Sequence, residues 1–168
     1  MVGHSFHHFE ALERVMQQVH DALTPRGLFV LEEFVGPTRF QWTDTQIALT
    51  RELTQLLPES LRTFRWGRVK SHEGRPTPAQ VVAVSPFESI RSGEIAALFH
   101  RLFDVITVRP LGGTIQHLLY NGIIHNFRDD DDGACRMLEG VCRTEDALID
   151  AGLIPSDFQL LIGRRRTL

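Results

Sequence analysis

Between Phe9 and Leu23 the apolar residues are Phe9, Leu12, Val15, Met16, Val19, Ala22 and Leu23. Steps of three and four place them on one stripe of a helix. Thr24-Pro25-Arg26-Gly27 supplies its stop. The unbroken run Leu28-Phe29-Val30-Leu31 predicts a strand covered on both faces, as in a parallel sheet. Glu32 and Glu33 fall near its carboxyl end, the edge at which open α/β sheets bind ligands.

Thr43 and Gln46 have the spacing of a capping box, and Ile47, Leu49, Leu53, Leu56 and Leu57 extend an amphipathic helix to Pro58. From Glu59 to Pro78 the pattern breaks up around Gly67, Gly74, Pro76 and Pro78. This stretch reads as a surface excursion, and its cations Arg62, Arg65, Arg68, Lys70 and Arg75 suit either solvent or an anion-attracting rim. Ser85-Pro86-Phe87-Glu88 predicts a new helix start, with Ile95, Leu98, Phe99 and Leu102 as the apolar face of that helix or its continuation.

Phe103–Arg109 reads as a strand, Ile115–Phe127 and Asp132–Ala151 as helices, and Phe158–Gly163 as a final strand. The expectation is an α/β fold of about three strands with flanking helices, a single domain over residues 1–168, and no internal repeat.

Composition adds bounds. A chain of 168 residues, 42% hydrophobic and 23% charged, is long enough to bury a core. A formal charge of -3 and a pI near 6.2 speak against nucleic acid as a partner. No basic segment followed by an apolar stretch opens the chain, and no run reaches the ~20 apolar residues of a membrane span, so a cytoplasmic protein is expected. Cys135 and Cys142, about 10 Å apart along one helix, cannot pair within it.

Candidate metal ligands are few. Asp129–Asp132 lack the alternating donors and distal glutamate of a calcium loop and suit a helix N-terminus instead. His4, His7 and His8 have no further ligand pattern to complete a zinc site, so no metal is expected. Arg164-Arg165-Arg166 reads as a solvated tail.

Gly3-His4-Ser5-Phe6-His7-His8-Phe9, the helix after it, and Leu23-Thr24-Pro25-Arg26-Gly27 leading into Leu28–Glu33 resemble a segment of the class I S-adenosylmethionine-dependent methyltransferases. That segment runs from the end of the family's fourth strand to its fifth. Phe34–Trp42, with Gly36-Pro37 and Arg39-Phe40-Gln41-Trp42, resembles a narrower subgroup. Arg109–Thr114 and Ala151–Phe158 are similar to the ends of such chains.

The resemblance implies the C-terminal portion of a Rossmann-like methyltransferase fold, S-adenosylmethionine as cofactor, and a small molecule or glycan precursor as methyl acceptor. It places Gly3 and His4 near the cofactor and His7 beside the acceptor, and makes His8 the candidate base, histidine being the side chain that changes charge nearest neutral pH. Glu33, Arg39 and Trp42 would shape the acceptor pocket. Helix capping and packing for the histidines, and an Arg–carboxylate bridge with a buried tryptophan, account for the same residues without catalysis.

The family's glycine-rich turn after the first strand, and the acidic residue ending the second, have no counterpart here. Gly112-Gly113 follows a late strand and lacks the spacing of a nucleotide-binding turn. The expectation is therefore a truncated or fragmentary chain missing its N-terminal half, ahead of completion by a separate N-terminal polypeptide or by dimerisation. The alternative is a noncatalytic interaction module that pairs with itself or a partner.

Overall fold

The computed structural model describes residues 2–71 and 74–166. They form two compact units, the first made of residues 2–41, 76–111 and 156–166, the second of 42–71, 74–75 and 112–155.

The first unit is built on a four-stranded mixed sheet with flanking helices, an α/β arrangement with one strand more than expected. Its elements are β1 (Val2–Gly3), α1 (Leu12–Ala22), β2 (Leu28–Phe34), α3 (Pro78–Val84), α4 (Ile95–Leu102), β3 (Phe103–Pro110) and β4 (Phe158–Arg165). The strand order is β1-β2-β4-β3. β1 runs parallel to β2 through Val2↔Leu31 and Gly3↔Glu32, whereas β4 is antiparallel to both β2 and β3. The expectation of a strand covered on both faces is corrected: Leu28 is exposed and Val30 only half-buried, because β2 alternates instead of being uniformly covered.

The alternation decides the surroundings of Glu33. Residues two apart share a face of a strand, so Phe29, Leu31 and Glu33 project together, and all three are buried. Phe29 and Leu31 join Phe6, Leu12, Met16, Ile95, Leu98, Phe99, Phe103 and Leu161 in the core of this unit. The helical stripes read from the sequence thus supply the cover of the sheet. Glu33 occupies the next core-side register position, where an unpaired carboxylate would be prohibitively costly.

Gly163 is closely packed against this core. A Cβ there would lie 2.9 Å from Phe103 Cβ and 3.0 Å from two atoms of the Phe99 ring. Gly163→Ala is expected to lose about 1–3 kcal/mol of stability through overpacking, read as a lower urea midpoint.

The second unit is helical, with α2 (Asp44–Leu56), α5 (Gln116–Tyr120) and α6 (Asp132–Asp150). Its core contains Leu57, Ile115, Leu119, Tyr120, Ile123, Val141 and Ile154. Thr43 and Gln46 form the reciprocal capping box expected. The anticipated apolar stripe is only partly used: Leu56 is exposed, and Gln46, Thr50 and Thr54 are buried. Asp131 caps α6 by accepting from Gly133 and Ala134 N–H, and Gly152, at φ 69°, follows its end. Cys135 and Cys142 are free thiols.

Three local expectations are corrected. No helix starts at Ser85-Pro86-Phe87-Glu88. The start lies at Thr77-Pro78-Ala79-Gln80, whose capping box is complete, and Ser85 ends that helix. The stretch Ile115–Phe127 is not one helix; α5 stops at Tyr120 and Gly122 turns the chain at φ 75° before a short 3-10 turn. Arg166 is not a solvated tail: it donates to the carbonyls of His100, Arg101 and Phe103 and to Asp104, closing the end of α4. Among the described residues, no helix is long and apolar enough to cross a membrane.

Candidate functional site

The chain leaves β1 at Gly3, turns sharply at His4 with φ 52°, and forms a 3-10 turn over Phe6–His8. This turn lies beside the carboxyl end of β2. There the Glu33 carboxylate accepts four hydrogen bonds. Oε2 takes Ser5 N–H at 2.7 Å and Phe6 N–H at 2.6 Å, while Oε1 takes Phe34 N–H at 2.8 Å and faces His7 Nδ1 at 2.5 Å. The side chain is fully buried.

Burial alone would push the Glu33 carboxyl upward. The hydrogen bonds from His7 and from the Phe6 and Phe34 N–H groups outweigh it and hold the carboxyl below its ordinary range. An ionised carboxylate can only accept, so Nδ1 of His7 is the donor. In the neutral ring this leaves Nε2 with a lone pair.

Nε2 looks toward Glu88, whose Oε1 is 3.4 Å away. Oε2 of Glu88 lies 4.0 Å from Nδ1 of His8, which also lies 3.3 Å from the Phe87 carbonyl. The two imidazole centroids are 4.1 Å apart. Side-chain exposure rises from 11% at His7 through 26% at Glu88 to 41% at His8, so the group opens to solvent on the His8 side.

The segment carrying Glu88 is held from several directions. Glu88 N–H closes a turn onto Ser85 O at 3.1 Å, and Ile90 N–H bonds His7 O at 3.0 Å. Arg39 donates its Nη1 to Pro86 O at 2.7 Å and to Glu88 O at 3.0 Å, and its own N–H to Ser89 O at 2.7 Å. Arg39, Phe40 and Ser89 have φ of 55°, 55° and 46°. Left-handed backbone at non-glycine residues is costly, and its concentration around one cluster marks a place where geometry is imposed.

The sequence-derived candidates separate accordingly. His7, His8 and Glu33 come together. Arg39 joins them as a backbone clamp on the Pro86–Ser89 segment. His4 pairs with Glu32 at 3.1 Å on an exposed edge. Trp42 belongs to the second unit, where it is buried and edge-on to His117. Glu88 was missed, because its nearness to the histidines arises from chain folding and leaves no local pattern.

Gly3 and His4 do not form a cradle for a nucleoside. Both are exposed, and a Cβ on Gly3 would meet only Glu32 O at 3.7 Å, an ordinary contact. Alone, they do not fit S-adenosylmethionine.

Comparison with family models, with curated proteins and with solved structures finds no match for this chain.

Proposed function

We propose that the chain supplies the acceptor side of an S-adenosylmethionine-dependent methyltransferase acting on a small molecule or glycan precursor. The observation that carries the reading is the His7–Glu33 bond at the carboxyl ends of two parallel strands joined by α1. Ligands of α/β sheets gather at that edge. A histidine whose Nδ1 is pinned by a buried carboxylate presents Nε2 in one orientation, the arrangement of an oriented general base.

On this reading His7 Nε2 accepts the proton released by the methyl acceptor, and Glu33 fixes the ring and stabilises its charged form. His7 thus takes the role that the resemblance gives to His8. His8 and Glu88 flank the acceptor on the open side. The methyl donor requires contacts beyond Gly3 and His4.

Isothermal titration with S-adenosylhomocysteine tests the reading, applied to this chain and to any longer polypeptide that contains it. Saturable 1:1 heat from the longer polypeptide is expected. Absence of heat from both would remove the methyltransferase reading.

A further inference from the structure

The geometry points to a divalent transition-metal site, of the kind that takes zinc, formed by His7 Nε2, His8 and Glu88 and oriented by Glu33. Its support is the donor set, independent of the methyltransferase reading.

One ligand atom from each of His7, His8 and Glu88 lies within 4.8 Å of the other two. Donors about 2.0–2.1 Å from a tetrahedral zinc stand roughly 3.4 Å apart. Nε2 of His7 and Oε1 of Glu88 already have that separation, at 3.4 Å. Oε2, the other oxygen of Glu88, lies 4.0 Å from His8 Nδ1, which faces the Phe87 carbonyl at 3.3 Å; to ligate, the His8 ring has to turn a lone pair away from that carbonyl toward Glu88, and His8 is exposed enough to turn. Two imidazoles and one carboxylate are a donor set that binds zinc while leaving a fourth position open.

The second observation is Glu33. Metal-bound histidines characteristically donate their other ring N–H to a carboxylate, which fixes the tautomer and makes the ligating nitrogen more basic. His7 has that arrangement, with Nδ1 turned to a fully buried carboxylate and Nε2 turned to Glu88. Charge is also suitable, since Glu33 and Glu88 together offset a dication beside neutral imidazoles. The strained backbone at Ser89 and the Arg39 clamp keep Glu88 at the histidines without a metal, which lowers the ordering cost of binding.

The Nε2 lone pair cannot serve a proton and a metal at once. A bound cation therefore changes the site from a base into a Lewis acid that polarises an acceptor oxygen.

The test is zinc titration of the chelator-treated chain against a chromophoric competitor, with cobalt absorption as a second readout. One equivalent of zinc is expected to bind, and cobalt to give the intense visible bands of a tetrahedral site. His8→Ala and Glu88→Gln, both at partly exposed side chains, should each weaken zinc binding at least about tenfold while circular dichroism stays unchanged. Glu33→Gln should weaken it about 10–100-fold. Equal zinc affinity in the His8→Ala/Glu88→Gln double variant, or no stoichiometric binding by the unaltered chain, would overturn the assignment. Neither outcome depends on S-adenosylhomocysteine binding, so this proposal and the methyltransferase reading fail separately.

Discussion

Glu33→Ala is expected to destabilise the protein by about 3–5 kcal/mol, the range for removing one partner from a buried ionic pair. The carboxylate is fully buried in a core register position and satisfies the Ser5, Phe6 and Phe34 N–H groups as well as His7. Alanine leaves those donors unpaired. Glu33→Gln keeps the shape but turns an amide N–H toward a donor, so it should cost less, about 1–3 kcal/mol.

The effect also depends on pH in a fixed direction. Because the folded-state carboxyl is held below its ordinary value of 4.5, its contribution is complete above that value and is lost as pH falls through the lower folded-state value. The gap between the unaltered protein and Glu33→Gln should therefore narrow in acid. Urea unfolding at neutral pH and in acid measures both; a constant gap would mean that the carboxyl has an ordinary affinity for its proton.

Lys70→Met is the second large effect, with an expected loss of about 2–4 kcal/mol, set by the two carbonyls it would leave short of a partner at about 1–3 kcal/mol each in the buried limit. Lys70 lies in the stretch read from the sequence as a surface excursion, yet it is only 1% exposed. Nζ donates to Leu118 O at 2.7 Å and Asn121 O at 2.8 Å, at the end of α5, and sits 5.9 Å from the centroid of Phe64. A cation at a helix C-terminus offsets the partial negative charge of the final carbonyls. Methionine keeps most of the aliphatic stem and removes the donors. Denaturant unfolding checks the total, and faster amide exchange in α5 should accompany it. A loss under about 0.5 kcal/mol would place Lys70 among ordinary surface lysines.

These two residues show where sequence reading stops. α1, α4, β2 and β4 were legible because a stripe or an apolar run is a local signal that tertiary packing then used; β3 was legible as an apolar run although Phe103 is its one buried residue. The capping box at Thr43 and the acidic cap of α6 were legible for the same reason. Ser85-Pro86-Phe87-Glu88 misled because it carries a start signal just after Thr77-Pro78-Ala79-Gln80, and the chain used the earlier one. The later segment is instead held by a long-range contact, the bonds of Arg39 to the carbonyls of Pro86 and Glu88.

The site divides along the same line. The histidine-rich turn and Glu33 stood out as polar residues at the end of a strand. Their pairing needed the strand register, which puts Glu33 on the face of Phe29 and Leu31. Glu88 and the buried role of Lys70 had no local signature, since each depends on partners brought near only by folding.

Both proposed chemistries of the site require that His7 present an unprotonated Nε2 because Glu33 holds the proton on Nδ1. Long-range ¹H–¹⁵N correlation spectra of the histidine rings, recorded above the ordinary histidine range, measure this directly. The Nδ1–H tautomer is expected at His7, with that preference lost in Glu33→Gln. A His7 ring protonated on Nε2 in the unaltered protein would contradict it.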